Sequence, residues 1–325
     1  DSMEGLRRLE YRGYDSAGIA VLEGGEVSRL RRVGKVQELA DALEETPLSG
    51  GQGISHTRWA THGVPNETNA HPHLSSNTVA IVHNGIIENY EELRDDLKSK
   101  GYEFTSDTDT ETVAHRIHFN LQDADDFVGA VRTTVAELEG AYAIAVINAD
   151  QPEQLVIARQ GAPAVVGLGI DENFVASDVA ALLPVTRNFQ FLEEGDVALV
   201  ERKQVTIWDE RGNVVDRPVR ESALDADAAE RGEFRHYMLK EIYEQPAAVA
   251  RTLDGRIADG RVLDASFGPL ANDALDKTRN VHIVACGTSY HAGLVARYWI
   301  ESLCRLPCTV EIASEYRYRN PVVPE

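Results

Sequence analysis

Short apolar runs rich in β-branched residues punctuate the first two thirds of the chain: 18–22 (GIAVL), 79–83 (VAIVH), 141–147 (AYAIAVI), 154–158 (QLVIA), 164–168 (AVVGL) and 196–200 (DVALV). Gly, Asn, Asp or Pro bounds them, and the pattern predicts strands. Residues 35–45, 87–100, 109–121 and 126–139 instead place apolar side chains at helical spacing. The third of these carries a start signal, Thr108 as N-cap with Glu111 three residues on. Antiparallel-looking strands mixed with a few helices predict an α+β layered domain over roughly residues 1–220.

The texture then changes. Residues 221–232 (ESALDADAAERG) are polar, acidic and Ala-rich, which suits an exposed linker or short helix, and 236–253 read as helix. From 281 the pattern runs strand (VHIVA), Gly-bearing turn (CGTSY), amphipathic helix (HAGLVARYWIESLC) and strand (CTVEIA). That is a βαβ unit and implies a parallel sheet. One such unit does not make a stable sheet, so the second domain reads as incomplete. The chain opens on Asp1 without an initiator Met and stops at Glu325 just after an apparent strand, so both ends read as cuts through a longer protein.

Composition narrows the function classes. The 325 residues carry 53 Asp and Glu against 32 Lys and Arg, a formal charge of −21. That charge opposes non-specific binding to nucleic acid or to an anionic membrane surface. No apolar run reaches the roughly 18 residues of a membrane helix. Of the basic residues only six are Lys (35, 98, 100, 203, 240 and 277) and 26 are Arg. An acidic surface poor in Lys reads as adaptation to high salt, or more plainly as an ordinary acidic cytoplasmic protein. The three cysteines, Cys286, Cys304 and Cys308, cannot frame a disulfide scaffold and fit a reducing compartment.

Four polar segments are candidates for chemistry: 11–18 (YRGYDSAG), 56–63 (HTRWATHG), 83–87 (HNGII) and 108–111 (TDTE). Asn84-Gly85 after an apolar run reads first as a hairpin turn. Arg58 and Asp109 could form a structural ion pair. The histidines 56, 62, 71, 73 and 83 match no zinc or iron spacing, so no metal is expected. The alternative treats the segments as one site. Arg58 would take a carboxylate bidentately and Asp109 an ammonium, which describes a pocket for a free α-amino acid. The Asn84 amide and the Gly85 N–H would face a developing oxyanion. Residues 1–285 contain no Cys, and no Ser there sits in a nucleophile motif, so spacing alone supplies no attacking group.

In order and spacing, YRGYDSAG, HTRWATHG, NAHPH, VHNGIIEN and TDTE resemble the glutaminase domain of the glutamine–fructose-6-phosphate aminotransferase family. RHYMLKEIYEQP (235–246) and ACGTSYHAG (285–293) resemble its linker and the start of its sugar isomerase (SIS) domain. The resemblance implies a four-layer αββα N-terminal-nucleophile domain over 1–228, a linker at 229–243 and part of a parallel α/β SIS domain over 244–325. It implies glutamine contacts at Arg58, Trp59, Thr61, His62, Gly85 and Asp109, and an oxyanion hole at Asn84 and Gly85. Arg12 and His71 are placed near that site, and Gly287, Thr288 and Ser289 in a sugar-phosphate loop.

The family's nucleophile, an N-terminal Cys in a Cys-Gly-Ile-Val-Gly start, is expected about a dozen residues before Asp1. The catalytic residues of its isomerase domain are expected beyond Glu325. The implied activity converts glutamine and fructose 6-phosphate to glutamate and glucosamine 6-phosphate, without cofactor, in a cytoplasmic homodimer; the fragment alone is expected to be inactive. A nucleophile-less sugar-phosphate-binding or regulatory relative is the alternative.

Overall fold

In a computed structural model, residues 2–222, 234–253, 256–258, 261–262, 275, 277–319 and 321–322 are described. The chain divides into two compact units, Asp1–Tyr237 and Met238–Glu325. Most of the polar segment 221–232 lies outside the described residues.

The first unit is built on a seven-stranded antiparallel sheet. Its members are β4 (His73–Ser75), β5 (Val79–Ile87), β6 (Gly140–Asn148), β7 (Leu155–Gln160), β11 (Val197–Val200), β12 (Val205–Trp208) and β13 (Val214–Val215). The alternation of β5 explains why this sheet is central, because both its faces must be covered. Val79, Ile81 and Ile87 face one side and pack with Val113, Ile117, Phe127 and Val131. Those four belong to α4 (Asp109–Asn120) and α5 (Phe127–Val135), which with α3 (Tyr90–Ser99) form the helical layer.

Ala80 and Val82 face the other side. There they meet Ala20 and Leu22 of β1 (Ser16–Glu23), Val27 of β2 (Glu26–Val33) and Ile54 of β3 (Gly53–Arg58). These strands form a three-stranded sheet ordered β2-β1-β3. Further along the same face lies a four-stranded sheet of β14 (Val219–Glu221), β10 (Asn188–Phe191), β8 (Val165–Leu168) and β9 (Asn173–Ala176). Leu6 of α1 (Ser2–Arg8) and Val36 and Leu39 of α2 (Val36–Glu45) cover the outer face of β1. The result is helix, sheet, sheet, helix, the four-layer αββα arrangement.

Asn84-Gly85 is not a hairpin turn. Both residues lie inside β5, opposite Ala143 and Tyr142 of β6. Ladder pairing overrides the local turn preference, and Gly85 shows why the position is glycine. Its φ is +131° and a Cβ there would lie 2.0 Å from the Ala141 carbonyl oxygen.

The second unit contains α6 from Met238 onward (Tyr237–Leu253 as a whole), the short pair β15 (Ile257–Ala258) and β16 (Arg261–Val262), and a βαβ element. In that element β17 (Val281–Ala285) pairs in parallel with β18 (Cys308–Ile312). Between them runs α7 (Gly287–Trp299), continued by one π-helical turn at Ile300–Cys304 and followed after β18 by α8 (Ala313–Tyr318). The predicted Gly-bearing turn is shorter than expected. Cys286 is the N-cap, so Thr288 and Ser289 already belong to the first helical turn.

Candidate active site

The chemistry-bearing segments converge because strand ends and one helix start meet at a single edge of the sandwich. β3 ends at Arg58, β5 carries His83, Asn84 and Gly85, and α4 begins at Asp109. All nine residues predicted for this site, Arg12, Arg58, Trp59, Thr61, His62, His71, Asn84, Gly85 and Asp109, line one cavity of about 1170 Å³. That volume exceeds the roughly 300–1,000 Å³ usual for one small ligand. The cavity continues between the sheets, past Ala143, Leu155 and Phe174.

Arg58 is 3% exposed. Its Nη2 donates to the carbonyl oxygens of His62 and Gly63, so the guanidinium holds the loop that follows it. Its Nη1 is buried without a hydrogen-bond partner and lies 3.6 Å from Asp15 Oδ1. Burial lowers the guanidinium pKa, and the nearby Asp15 and Asp109 charges oppose that shift. The structural Arg58–Asp109 ion pair of the alternative reading is absent among the described residues; Asp15 is the carboxylate beside Arg58. Asp15 also accepts the Ser16 hydroxyl proton and the Ala60 N–H, the latter bracing the backbone just after Arg58. Sequence reading flagged the YRGYDSAG segment but gave Asp15 no role.

Asp109 owes its place to a helix start. Thr108 Oγ1 accepts the Glu111 N–H as predicted. The Glu111 carboxylate does not return to the cap residue but accepts the N–H and hydroxyl of both Thr105 and Ser106. Those bonds outweigh its burial and lower its pKa. Asp109 Oδ2 accepts the Ile87 N–H at 2.9 Å, tying α4 to the end of β5. Its Oδ1 lies 3.8 Å from His62 Nδ1.

Trp59 is 69% exposed, and Thr61 Oγ1 lies 3.3 Å from His62 Nδ1. Arg12 is engaged away from Arg58: Nη1 donates to Ser177 and Nη2 to Asp178, while Nε donates to the Tyr11 hydroxyl. His56, His71, His73 and His83 form one buried group. His56 and His71 stack at 4.4 Å between ring centroids, with His73 edge-on to His71. Among the described residues no group of three or more His, Cys, Asp or Glu is arranged to hold a metal ion.

In the second unit Gly287, Thr288 and Ser289 are exposed at the start of α7. Cys286 is exposed as well. No helix among the described residues is long and apolar enough to cross a membrane.

Comparison with known proteins agrees with this geometry. A glutamine amidotransferase domain profile matches residues 56–184, and a SIS domain profile matches 274–325. The glutamine–fructose-6-phosphate aminotransferase [isomerizing] of Shewanella oneidensis is 61% identical over 318 residues, 98% of this chain and 52% of its own. The Escherichia coli protein of that name is 56% identical over 322 residues, 99% and 53% of the two chains. The chain therefore spans about half the length of the curated relatives it matches.

Among solved structures, the glutamine phosphoribosylpyrophosphate amidotransferase from B. subtilis superposes with a TM-score of 0.57 at 20% identity. It covers 99% of this chain and 65% of that one, and the likeness speaks for the fold alone. Over the residues it spans, the chain is similar to the glutamine–fructose-6-phosphate aminotransferases and carries a glutamine amidotransferase domain and a SIS domain.

Proposed function

We propose that the first unit is the glutamine-hydrolysing half of an enzyme that makes glucosamine 6-phosphate from fructose 6-phosphate. The observation that carries the reading is the buried Nη1 of Arg58, which has no hydrogen-bond partner and lines the same cavity as Asp109, Asn84 and Gly85. A buried guanidinium N–H with no hydrogen bond is costly even with Asp15 nearby, and a ligand carboxylate relieves that cost. Asp109 Oδ1 takes the α-ammonium, and the Asn84 amide and Gly85 N–H stabilise the oxyanion as the side-chain amide is attacked. Thr61 and His62 complete the glutamine contacts, and Trp59 stands at the exposed edge. Arg12 and His71 support the site rather than touch glutamine.

By the family resemblance the attacking thiolate comes from a cysteine outside these 325 residues. The SIS portion receives the sugar phosphate, with Gly287, Thr288 and Ser289 at the start of α7 offering backbone N–H groups and hydroxyls. The proposed domain limits are 1–228 and 244–325 with a linker between them. The whole protein is proposed to work as a cytoplasmic homodimer.

The test uses the full-length protein with glutamine and fructose 6-phosphate. Glucosamine 6-phosphate should form, and none forming at any salt concentration overturns the reading. Arg58→Lys keeps the charge but loses the planar fork. With one charged hydrogen bond worth about 1.5–3 kcal/mol, KM for glutamine should rise about 10- to 100-fold. An unchanged KM would remove Arg58 from the carboxylate site.

A further inference from the structure

We infer that His56 is a positioning residue that sets which end of the Asn84 side-chain amide faces the reacting carbonyl. The inference rests on the function proposed above and adds a residue that neither the motif spacing nor the metal question had assigned.

The Asn84 side chain has one hydrogen-bond partner among the described residues, His56 Nε2, at 2.8 Å from Oδ1. An amide has a donor end and an acceptor end, so fixing one toward His56 fixes the other toward the cavity. If His56 carries its proton on Nε2, that N–H donates to Oδ1, and the two protons of Asn84 Nδ2 are left for the oxyanion. If the proton sits on Nδ1, the amide turns over to donate to Nε2. Its carbonyl oxygen then points where negative charge develops, which repels the transition state. The second arrangement also strands a proton: His56 Nδ1 is buried with no partner, so an N–H there would be desolvated and unpaired. A bare lone pair at Nδ1 is the cheaper choice, and it is the one that arms Asn84.

The surroundings hold the ring in that state. His56 stacks on His71 with 20° between the ring planes. His71 has a determined tautomer, because its Nδ1 faces the His83 backbone N–H at 3.3 Å and a backbone N–H only donates. The His71 proton therefore sits on Nε2, 3.3 Å from Thr110 Oγ1. His83 and Asn84 are neighbours on β5, so one strand anchors both ends of the arrangement. β1 makes room for it: Gly18 pairs with His56 in the ladder, and a Cβ at Gly18 would lie 2.1 Å from the His71 carbonyl oxygen. Burial pushes the His56 pKa down to about 4, so the ring stays neutral near pH 7.

The experiment is glutamine hydrolysis by the full-length enzyme carrying H56A, H56Q, N84A or H56A with N84A. Losing one oxyanion donor costs about 10²–10³ in kcat, and a misoriented donor should lose part of that. For H56A we expect kcat to fall about 10- to 100-fold with KM for glutamine within about two-fold, as for an interaction made in the transition state. H56Q places an amide N–H toward Oδ1 and should recover most of the loss. The double variant should be no slower than N84A.

H56A leaving kcat unchanged while N84A lowers it overturns the inference, as do losses that multiply in the double variant. A wild-type enzyme that does not hydrolyse glutamine overturns the functional reading instead. Should H56A fail to fold, the ¹⁵N spectrum of the wild-type ring decides: a protonated Nε2 with a bare Nδ1 supports the inference, and the reverse overturns it.

Discussion

Four histidine rings, His56, His71, His73 and His83, occupy the space where β3, β4, β5 and α4 meet, and burial lowers the pKa of each. Unfolded, these rings titrate near pH 6.5. Because the folded values lie lower, the unfolded chain binds the extra protons. Stability is full above about pH 6.5 and falls as pH drops toward the folded values, by at most about 1.4 kcal/mol per pH unit for each ring. We expect the thermal midpoint to fall by at least about 5 °C between pH 7 and pH 5.5, on the scale of 2–4 °C per kcal/mol for a domain of this size. Scanning calorimetry checks it. A midpoint flat down to pH 5 would show that the rings are not held neutral. Nothing local in HTRWATHG or NAHPH shows that His56 and His71 stack. Contacts between residues 15 positions apart on different elements belong to the fold.

At the scale of elements, the start of α4 couples stability to the site. Thr108 caps the helix, sits 3.1 Å from His73 Nε2, and directly precedes Asp109. Replacing it by alanine should cost about 1 kcal/mol, the usual value of an N-cap, or about 2–4 °C in midpoint. Glutamine KM should rise with it, since Asp109 loses its fixed entry into the helix. Thr108→Ser retains the hydroxyl and should behave like the wild type. A T108A protein with lower midpoint but unchanged KM would separate the cap from the site.

This cap was legible in the sequence because capping is a short-range event. The apolar strands were legible too, being continuous runs. β3 was not, because GISHTR interleaves its few apolar residues with the polar side chains that build the pocket. Asn84-Gly85 misled for the opposite reason. Its local turn chemistry is strong, and only the partner strand β6 shows that it lies mid-ladder. The role of Asp15 was hidden because it acts on Arg58 and Ala60, more than 40 residues away.

At the scale of the whole molecule, periodicity supported an α+β domain followed by a parallel βαβ element, but it could not stack the sheets; the motif resemblance supplied the αββα order. The net charge of −21 is the property that no single element carries. At low ionic strength so many like charges repel over about 10 Å or more, and at 1 M salt over only about 3 Å. Much of the acidity is exposed, and the basic partners are mostly arginines already tied to carboxylates or carbonyls, as Arg116 is to Asp96 and Glu137. Folding concentrates this charge, so its repulsion opposes the compact state. Raising KCl from 0.05 M to 2 M should therefore raise the thermal midpoint, with most of the gain below about 0.5 M, where the screening length changes fastest. Equal osmolarity of an uncharged solute should not reproduce that early rise. If it does, or if the midpoint is flat in KCl, the acidic excess is an ordinary solvated surface and the high-salt reading fails. If the early rise is specific to salt, the scarcity of lysine and the abundance of carboxylates describe one adaptation, separate from the chemistry around Arg58.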